Sequence, residues 1–258
     1  MIKLSLSNNT KFAIIEKNTG EYMNNNYIQI LDSLILSPNA VEDFYNKYNN
    51  DRDFKSWLDK FIPEIDKCEK QQQNTPWHKY NVLRHILHSV EEMNKCTYDL
   101  PDNDKRMLAY VMLFHDIGKP DKHIVRIKNG KQQDSFFNHN IRSCEIAKDI
   151  LPKLNFNEQE CNIMLKLIHK HDIFMFIKEF KSDNPYWRTL TDEVILEEVT
   201  DLSSVGDGYK LMQYLLKIGR CDNLSQNEKM TGESLKMLDK FESMLANLIN
   251  KTKEDKLP

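Results

Sequence analysis

Six residues of this chain have side chains that bind divalent metals and fall where they could share one: His85, His115, Asp116, His139, His171 and Asp222. Neutral imidazoles and carboxylates together suit a divalent first-row ion. The stretch Tyr110 to Pro120, "YVMLFHDIGKP", places His115 beside Asp116 at the end of an apolar helix. His115 continues the stripe of Met107, Leu108, Val111 and Met112, and His85 lies on the stripe of Val82, Ile86, Ser89 and Met93. His171 follows Met164, Leu167 and Ile168 in the same phase, and Asp222 follows Leu211, Leu215 and Ile218. Three imidazoles and a carboxylate are therefore aimed at the core from four helices. Each has an ordinary reading: a hydrogen-bonded core histidine, a helix-terminal residue at His139, an Asp222–Arg220 ion pair. Breaking a buried pair costs on the order of 3–5 kcal/mol, so several such residues on inward faces are best explained by convergence on a cation. His88 groups with Arg84, Glu91 and Lys95 and is expected in solvent; His123 lies in a charged loop, and His169 lies on another face from His171.

Helices must position these residues. They are expected at Tyr27 to Leu36, at Ser37 to Tyr48 with Ser37 as N-cap and Pro38 at its first position, and at Asp53 to Ile65, broken at Pro63. Glu69 to Pro76 reads as a polar linker. Further helices are expected over Lys79 to Lys95, Asp104 to Asp116, His139 to Leu151, Glu158 to His171, Asp192 to Leu202, Gly208 to Leu224 and Glu233 to Asn250. Asp121 to Asn138 reads as a long loop with a ribbon turning at Asn129-Gly130, and Lys3 to Lys17 as a short β-hairpin. With 7 glycines and 8 prolines in 258 residues, a mainly α bundle is favoured over a sandwich or barrel.

A net charge of −3 provides no global attraction to nucleic acid, so any such contact must come from a local basic patch or a bound cation. The 5 cysteines form no Cys-x-x-Cys and read as reduced thiols. The first residues contain no apolar signal segment and no run suited to spanning a membrane, so a cytoplasmic protein is expected.

The ordered set His85, His115-Asp116, Asp222 resembles the metal signature of the HD-domain phosphohydrolases, and His139 and His171 resemble those of members with a second metal. "FIPEI", "PWHKYNVLRHILHSVE", "LFHDIGKP", "IHKHD" and "GRCDNLSQ" resemble the HD domain attached to some bacterial CCA-adding tRNA nucleotidyltransferases, over roughly Asp51 to Gln226. The first fifty residues lack the Gly-rich turn and paired carboxylates of the nucleotidyltransferase head, so nucleotide addition is not expected. The expectation is an N-terminal elaboration over residues 1–50 and an HD phosphohydrolase domain over residues 51–258.

The resemblance implies one or two divalent ions (Mn, Fe, Ni, Co, Zn or Mg). His85, His115, Asp116 and Asp222 would hold the first; His139 and His171 would hold the second, with Asp116 bridging. Such a centre activates water and neutralises phosphoryl oxygens. Asp116, Lys119 and His78 are the candidate catalytic residues, with His78 as proton donor to the leaving group; Lys119 and Arg142 are candidate phosphate contacts. The implied substrate is a nucleotide or an RNA end, as a phosphomonoester or a phosphodiester such as a 2',3'-cyclic phosphate. Hydrolysis of a (deoxy)nucleoside triphosphate or an alarmone is the alternative within the class, and a non-catalytic, metal-stabilised RNA- or protein-binding module the alternative outside it.

Overall fold

The computed structural model describes residues 25–181 and 183–254. The hairpin expected at Lys3 to Lys17 lies outside them. The helices in chain order are α1 (residues 25–35), α2 (Ala40–Asn50), α3 (Arg52–Phe61), α4 (Glu64–Lys70), α5 (Val82–Cys96), α6 (Asp102–Phe114), α7 (His139–Ile150), α8 (Glu158–Lys170), α9 (Asp192–Leu202), α10 (Gly208–Leu224) and α11 (Glu228–Glu254). With only two small two-stranded sheets beside them among the described residues, the protein is a mainly α bundle.

The centre of the bundle is α6. Met107 through Phe114 are all buried, because α5, α7, α8 and α10 pack around it. A helix apolar on every side is stable only when surrounded. Its far side holds α1: Tyr110 donates to Asp32 Oδ1 at 2.7 Å, and Arg106 Nε lies 3.1 Å from the same oxygen. One hydrophobic cluster runs from Ile28 in α1 to Leu248 in α11.

Several helix starts carry the caps that their sequences specify. Asn81 accepts from Arg84 N at 2.8 Å, and Asn157 with Glu160 forms a reciprocal capping box on α8. Ser37 does not cap α2. That helix begins at Ala40, and the Ser37 hydroxyl instead accepts from Asn39 N within the preceding turn. The chain also resumes as α4 after the break at Pro63, so helix reaches Lys70, into the segment read as a linker. Buried Ile65 and Cys68 hold that turn of helix to the core.

The loop after α6 contains the antiparallel hairpin β1 (Ile124–Lys128) and β2 (Lys131–Ser135). Asn129 and Gly130 turn it with φ of 52° and 72°. Two consecutive left-handed residues match the twist of a tight hairpin. The strands β3 (Ile177–Lys178) and β4 (Arg188–Thr189) form a short parallel pair after α8. Among the described residues, no helix is long and apolar enough to cross a membrane.

Candidate metal centre

All six sequence candidates meet. His85, His115, Asp116 and Asp222 each place a donor atom within 4.8 Å of the others, and Asp116, His139 and His171 form a second group by the same measure. Five helices bring them from different directions: His85 from mid-α5, the His115-Asp116 pair from the end of α6, His139 from the first residue of α7, and His171 from the end of α8. Asp222 reaches in from the last turn of α10.

The approach of α7 depends on Gly118. A Cβ at this position would stand 2.5 Å from His139 O and 2.6 Å from Ser143 N. With none there, Gly118 N donates to Ser143 Oγ at 3.0 Å, and the start of α7 closes onto the His-Asp turn. Asn138, left-handed at φ 63°, turns the chain into α7 so that His139 faces Asp116.

The imidazoles are oriented alike. Nδ1 of His115 lies 2.6 Å from Met112 O, Nδ1 of His139 2.9 Å from Phe136 O, and Nδ1 of His171 2.7 Å from Ile168 O. A carbonyl oxygen only accepts, so each Nδ1 carries the proton and each Nε2 presents a lone pair. For His85 the outer partner is Ser225 Oγ at 3.1 Å, and that hydroxyl donates to Asp222 O at 2.7 Å. Ser89 Oγ closes the arrangement, 2.6 Å from Ser225 Oγ and 3.0 Å from His85 O.

These lone pairs point at one another. His139 Nε2 and His171 Nε2 are 3.1 Å apart. His85 Nε2 lies 3.1 Å and His115 Nε2 3.3 Å from Asp116 Oδ2. Those distances are short, yet none of these three atoms has a partner in hydrogen-bonding geometry. Close approach without hydrogen bonding, at 0–2% exposure, is the signature of donors converging on a shared point. Asp116 divides its two oxygens: Oδ2 faces His85 and His115, while Oδ1 faces His139 at 3.0 Å and His171 at 3.7 Å. The cluster fits an HD-type site, and its mixed nitrogen and oxygen donors can hold a divalent ion.

Charge follows the same logic. Burial alone would raise the Asp116 carboxyl, but Lys119 and His115 outweigh it and hold the group well below the usual carboxylate range. Burial opposes the charged form of His115, and Asp116 and Asp222 nonetheless raise its pKa to about 10, so a proton occupies its Nε2 unless a metal ion displaces it and frees the lone pair. The excess negative charge attracts any available cation, proton or metal. Burial, with His139 and His115 nearby, lowers His171 to about 4 and keeps it a neutral donor.

Beside the cluster, Lys119 Nζ stands 2.6 Å from Asp116 Oδ2 and donates to Gln73 Oε1 at 2.9 Å. His78 Nε2 is 3.3 Å from the same ammonium, and His78 Nδ1 is 2.9 Å from Thr75 Oγ1. Burial and the Lys119 charge lower His78 well below its ordinary value. Arg142 is held by Asp121 at 2.8 Å and Glu145 at 3.0 Å. His139 and Asp222 keep 13% and 17% exposure, so the cluster opens to solvent on their side.

Of the histidines read as non-ligands, His169 is exposed and His123 pairs with Asp134 at 2.9 Å. His88 departs from its expected exposure: it is half-buried, stacked on Tyr80 with ring centroids 4.5 Å apart. Sequence reasoning missed Ser225, Gln73 and Gln226, whose Nε2 lies 3.2 Å from both Asp222 oxygens. Ser89 was visible as a polar residue on an apolar stripe.

No family model matches the chain. It is 27% identical over 127 residues to a bifunctional uridylyltransferase/uridylyl-removing enzyme of Cereibacter sphaeroides, a match covering 44% of this chain and 12% of the relative. An enzyme of the same description from Erythrobacter litoralis is 24% identical over 152 residues, 54% of this chain and 14% of the relative. The homology is weak, and the matched stretch is a small fraction of either relative's length.

Proposed function

We propose that this chain is a metal-dependent phosphohydrolase of the HD type, acting on a phosphomonoester or phosphodiester of a nucleotide or RNA end, with a 2',3'-cyclic phosphate among its targets. The observation that carries the reading is the convergence of four Nε2 atoms on the Asp116 carboxylate, with those of His85 and His115 buried and without a hydrogen-bond partner. The relatives' description adds support: a uridylyl group is a nucleoside monophosphate, and removing one breaks a bond to phosphorus. The activity is assigned to residues 51–258, with residues 1–50 as an elaboration.

His85, His115, Asp116 and Asp222 would hold one ion, and His139 and His171 a second, with Asp116 between them. Bound there, divalent ions supply a water of lowered pKa and charge to neutralise the phosphoryl oxygens. The protein's own part is orientation and proton transfer. Hydrogen bonds at Nδ1 fix every ligating ring, directly from backbone carbonyls for three of them and through Ser225 for His85. Lys119, anchored by Gln73 and Asp116, contacts a phosphate oxygen as a fixed positive charge. Arg142 is the weaker phosphate contact, because Asp121 and Glu145 already engage its guanidinium.

Neutral His78 cannot donate from Nε2 while Lys119 stands against that nitrogen. The leaving group's proton is therefore assigned to the Lys119–His78 couple: the ammonium gives it to the departing oxygen, and His78 Nε2, accepting another Lys119 N–H, holds the ammonium in place.

The test is metal analysis of the purified protein, then turnover of aryl phosphodiester and aryl phosphomonoester substrates with and without chelator. The expected result is bound metal and chelator-sensitive turnover of at least one substrate, abolished in His115→Ala and Asp116→Ala. Turnover that survives both substitutions rules out this centre. Metal without turnover on a broad nucleotide panel, nucleoside triphosphates and alarmones included, favours the non-catalytic binding module.

A further inference from the structure

The hairpin between α6 and α7 has no role in the chemistry above, and it gathers several basic side chains on a short exposed ribbon. Strand parity puts Arg126 and Lys128 on one face, and the register sets Lys131 directly opposite Lys128. From Ile124 to Lys131 there is no acidic residue. Elsewhere basic side chains are routinely answered by carboxylates, as at Lys55–Asp59, Arg106–Asp32 and Lys166–Asp201. Among the described residues, Arg126, Lys128 and Lys131 have no acidic partner. Like charges directly across a two-stranded ribbon destabilise it, and every residue of β1 is exposed, so burial does not offset the repulsion.

The hairpin is nonetheless held in place at its base, beside the metal centre. Asn74 N donates to Asp134 Oδ2 at 2.6 Å, and Asp134 N donates to Asn74 O at 3.1 Å. His123 also binds Asp134, at 2.9 Å. This fastens β2 to residues 74–78. Within that segment Trp77 is 39% exposed, and the Lys128 ammonium stands 6.0 Å from its ring centroid. The next residue is His78, which touches Lys119. Lys128 on the cationic face, the indole and the proposed proton couple are therefore neighbours in turn.

We infer that Arg126, Lys128, Lys131 and Trp77 form a binding strip for a single-stranded oligonucleotide whose phosphates run along the hairpin face towards the metal centre. The assignment of this strand as substrate rests on the phosphohydrolase reading. Arg126 and Lys128, two apart on β1, neutralise successive phosphates, with Lys131 beside Lys128, while an exposed indole offers a face on which a base stacks. Residues two apart on a strand are separated by about 6.7 Å, comparable to a nucleotide step in an extended strand. An acidic peptide would use the same cations and leave the indole without a matching ring.

The experiment uses the full, metal-loaded chain and a fluorescent single-stranded RNA of about twelve nucleotides. Anisotropy compares the parent with Arg126→Gln/Lys128→Gln/Lys131→Gln across a salt series. The expected result is a loss of affinity of about tenfold or more at ~0.1 M salt in the triple variant. Its log–log salt slope should fall by about two, given a slope near 0.7 for each phosphate contacted on a single strand. Turnover of an aryl phosphodiester and the melting temperature should match the parent's. The strip is refuted if the parent does not bind RNA, if the variant keeps the parent's affinity and slope, or if polyglutamate of equal charge competes as well as unlabelled RNA. If neither the aryl diester nor the aryl monoester is turned over while RNA binding remains hairpin-dependent, the phosphohydrolase reading fails and the strip stands. If turnover is present and binding ignores the hairpin, the reverse holds.

Discussion

The candidate metal centre and the β1–β2 hairpin both crowd polar groups that lack ordinary partners, and the protein treats them in opposite ways. At the centre, two imidazole nitrogens sit 3.1 Å apart and carboxylate oxygens crowd others, at exposures of 0–2% for His85, His115 and Asp116. On the hairpin, Lys128 faces Lys131 in open solvent. Water screens the second arrangement at small cost, whereas an unsatisfied buried group costs about 1–3 kcal/mol or more. On the proposed reading, folding the centre would be coupled to a bound cation, and folding the hairpin would not be coupled to its ligand. Binding energy should consequently appear as stability in one region and only as affinity in the other.

The largest departure from that contrast should come from Asp116→Ala. It removes the one carboxylate shared by both donor groups, and metal content by elemental analysis should fall to background together with turnover. Retention of a full metal complement would show that Asp116 does not bridge. Chelation of the intact protein is next. Metal at a hundredfold above its dissociation constant stabilises by about 2.7 kcal/mol, and for a chain of this size each kcal/mol moves the midpoint by about 2–4 °C. Calorimetry should show a fall of roughly 5–10 °C on metal removal.

Gly118→Ala forces a methyl against the backbone of His139 and Ser143. Overpacking of this kind costs about 1–3 kcal/mol, and the second donor group should lose metal before the first. Ser225→Ala should be milder still. It frees the His85 ring and should weaken metal binding by about 10–100-fold, read by competition with a metallochromic indicator, with the fold intact. Smallest of all is the thermal effect of the hairpin triple variant: exposed substitutions stay within about 0.5 kcal/mol, so its midpoint should shift by no more than about 2 °C.

How much was legible beforehand follows from which forces act locally. Asp192–Leu202 and Gly208–Leu224 match their expected bounds because Thr191 and Asp207 cap them in sequence. The turn at Asn129-Gly130 was equally plain, since few residues adopt two successive left-handed conformations. Ser37 was misjudged because a good capping residue does not start a helix unless the helix also buries a face there, and Ala40 and Val41 are the first of α2 to do so. His88 was misplaced because Tyr80, from the preceding loop, folds over it. Gln73 and Ser225 carried no signal: each matters only through a partner 46 or 140 residues away.

Composition and helical phase by themselves determined that this is a mainly α protein with histidines and aspartates turned inward from several helices, because amphipathic burial is a local, periodic property. Only the tertiary structure decided that those side chains share one point, that Asp116 faces both ways, and that Lys119 meets His78. Those outcomes depend on how α7, α8 and α10 close around α6, and helix packing is set by side-chain shape and by single features such as the missing Cβ of Gly118.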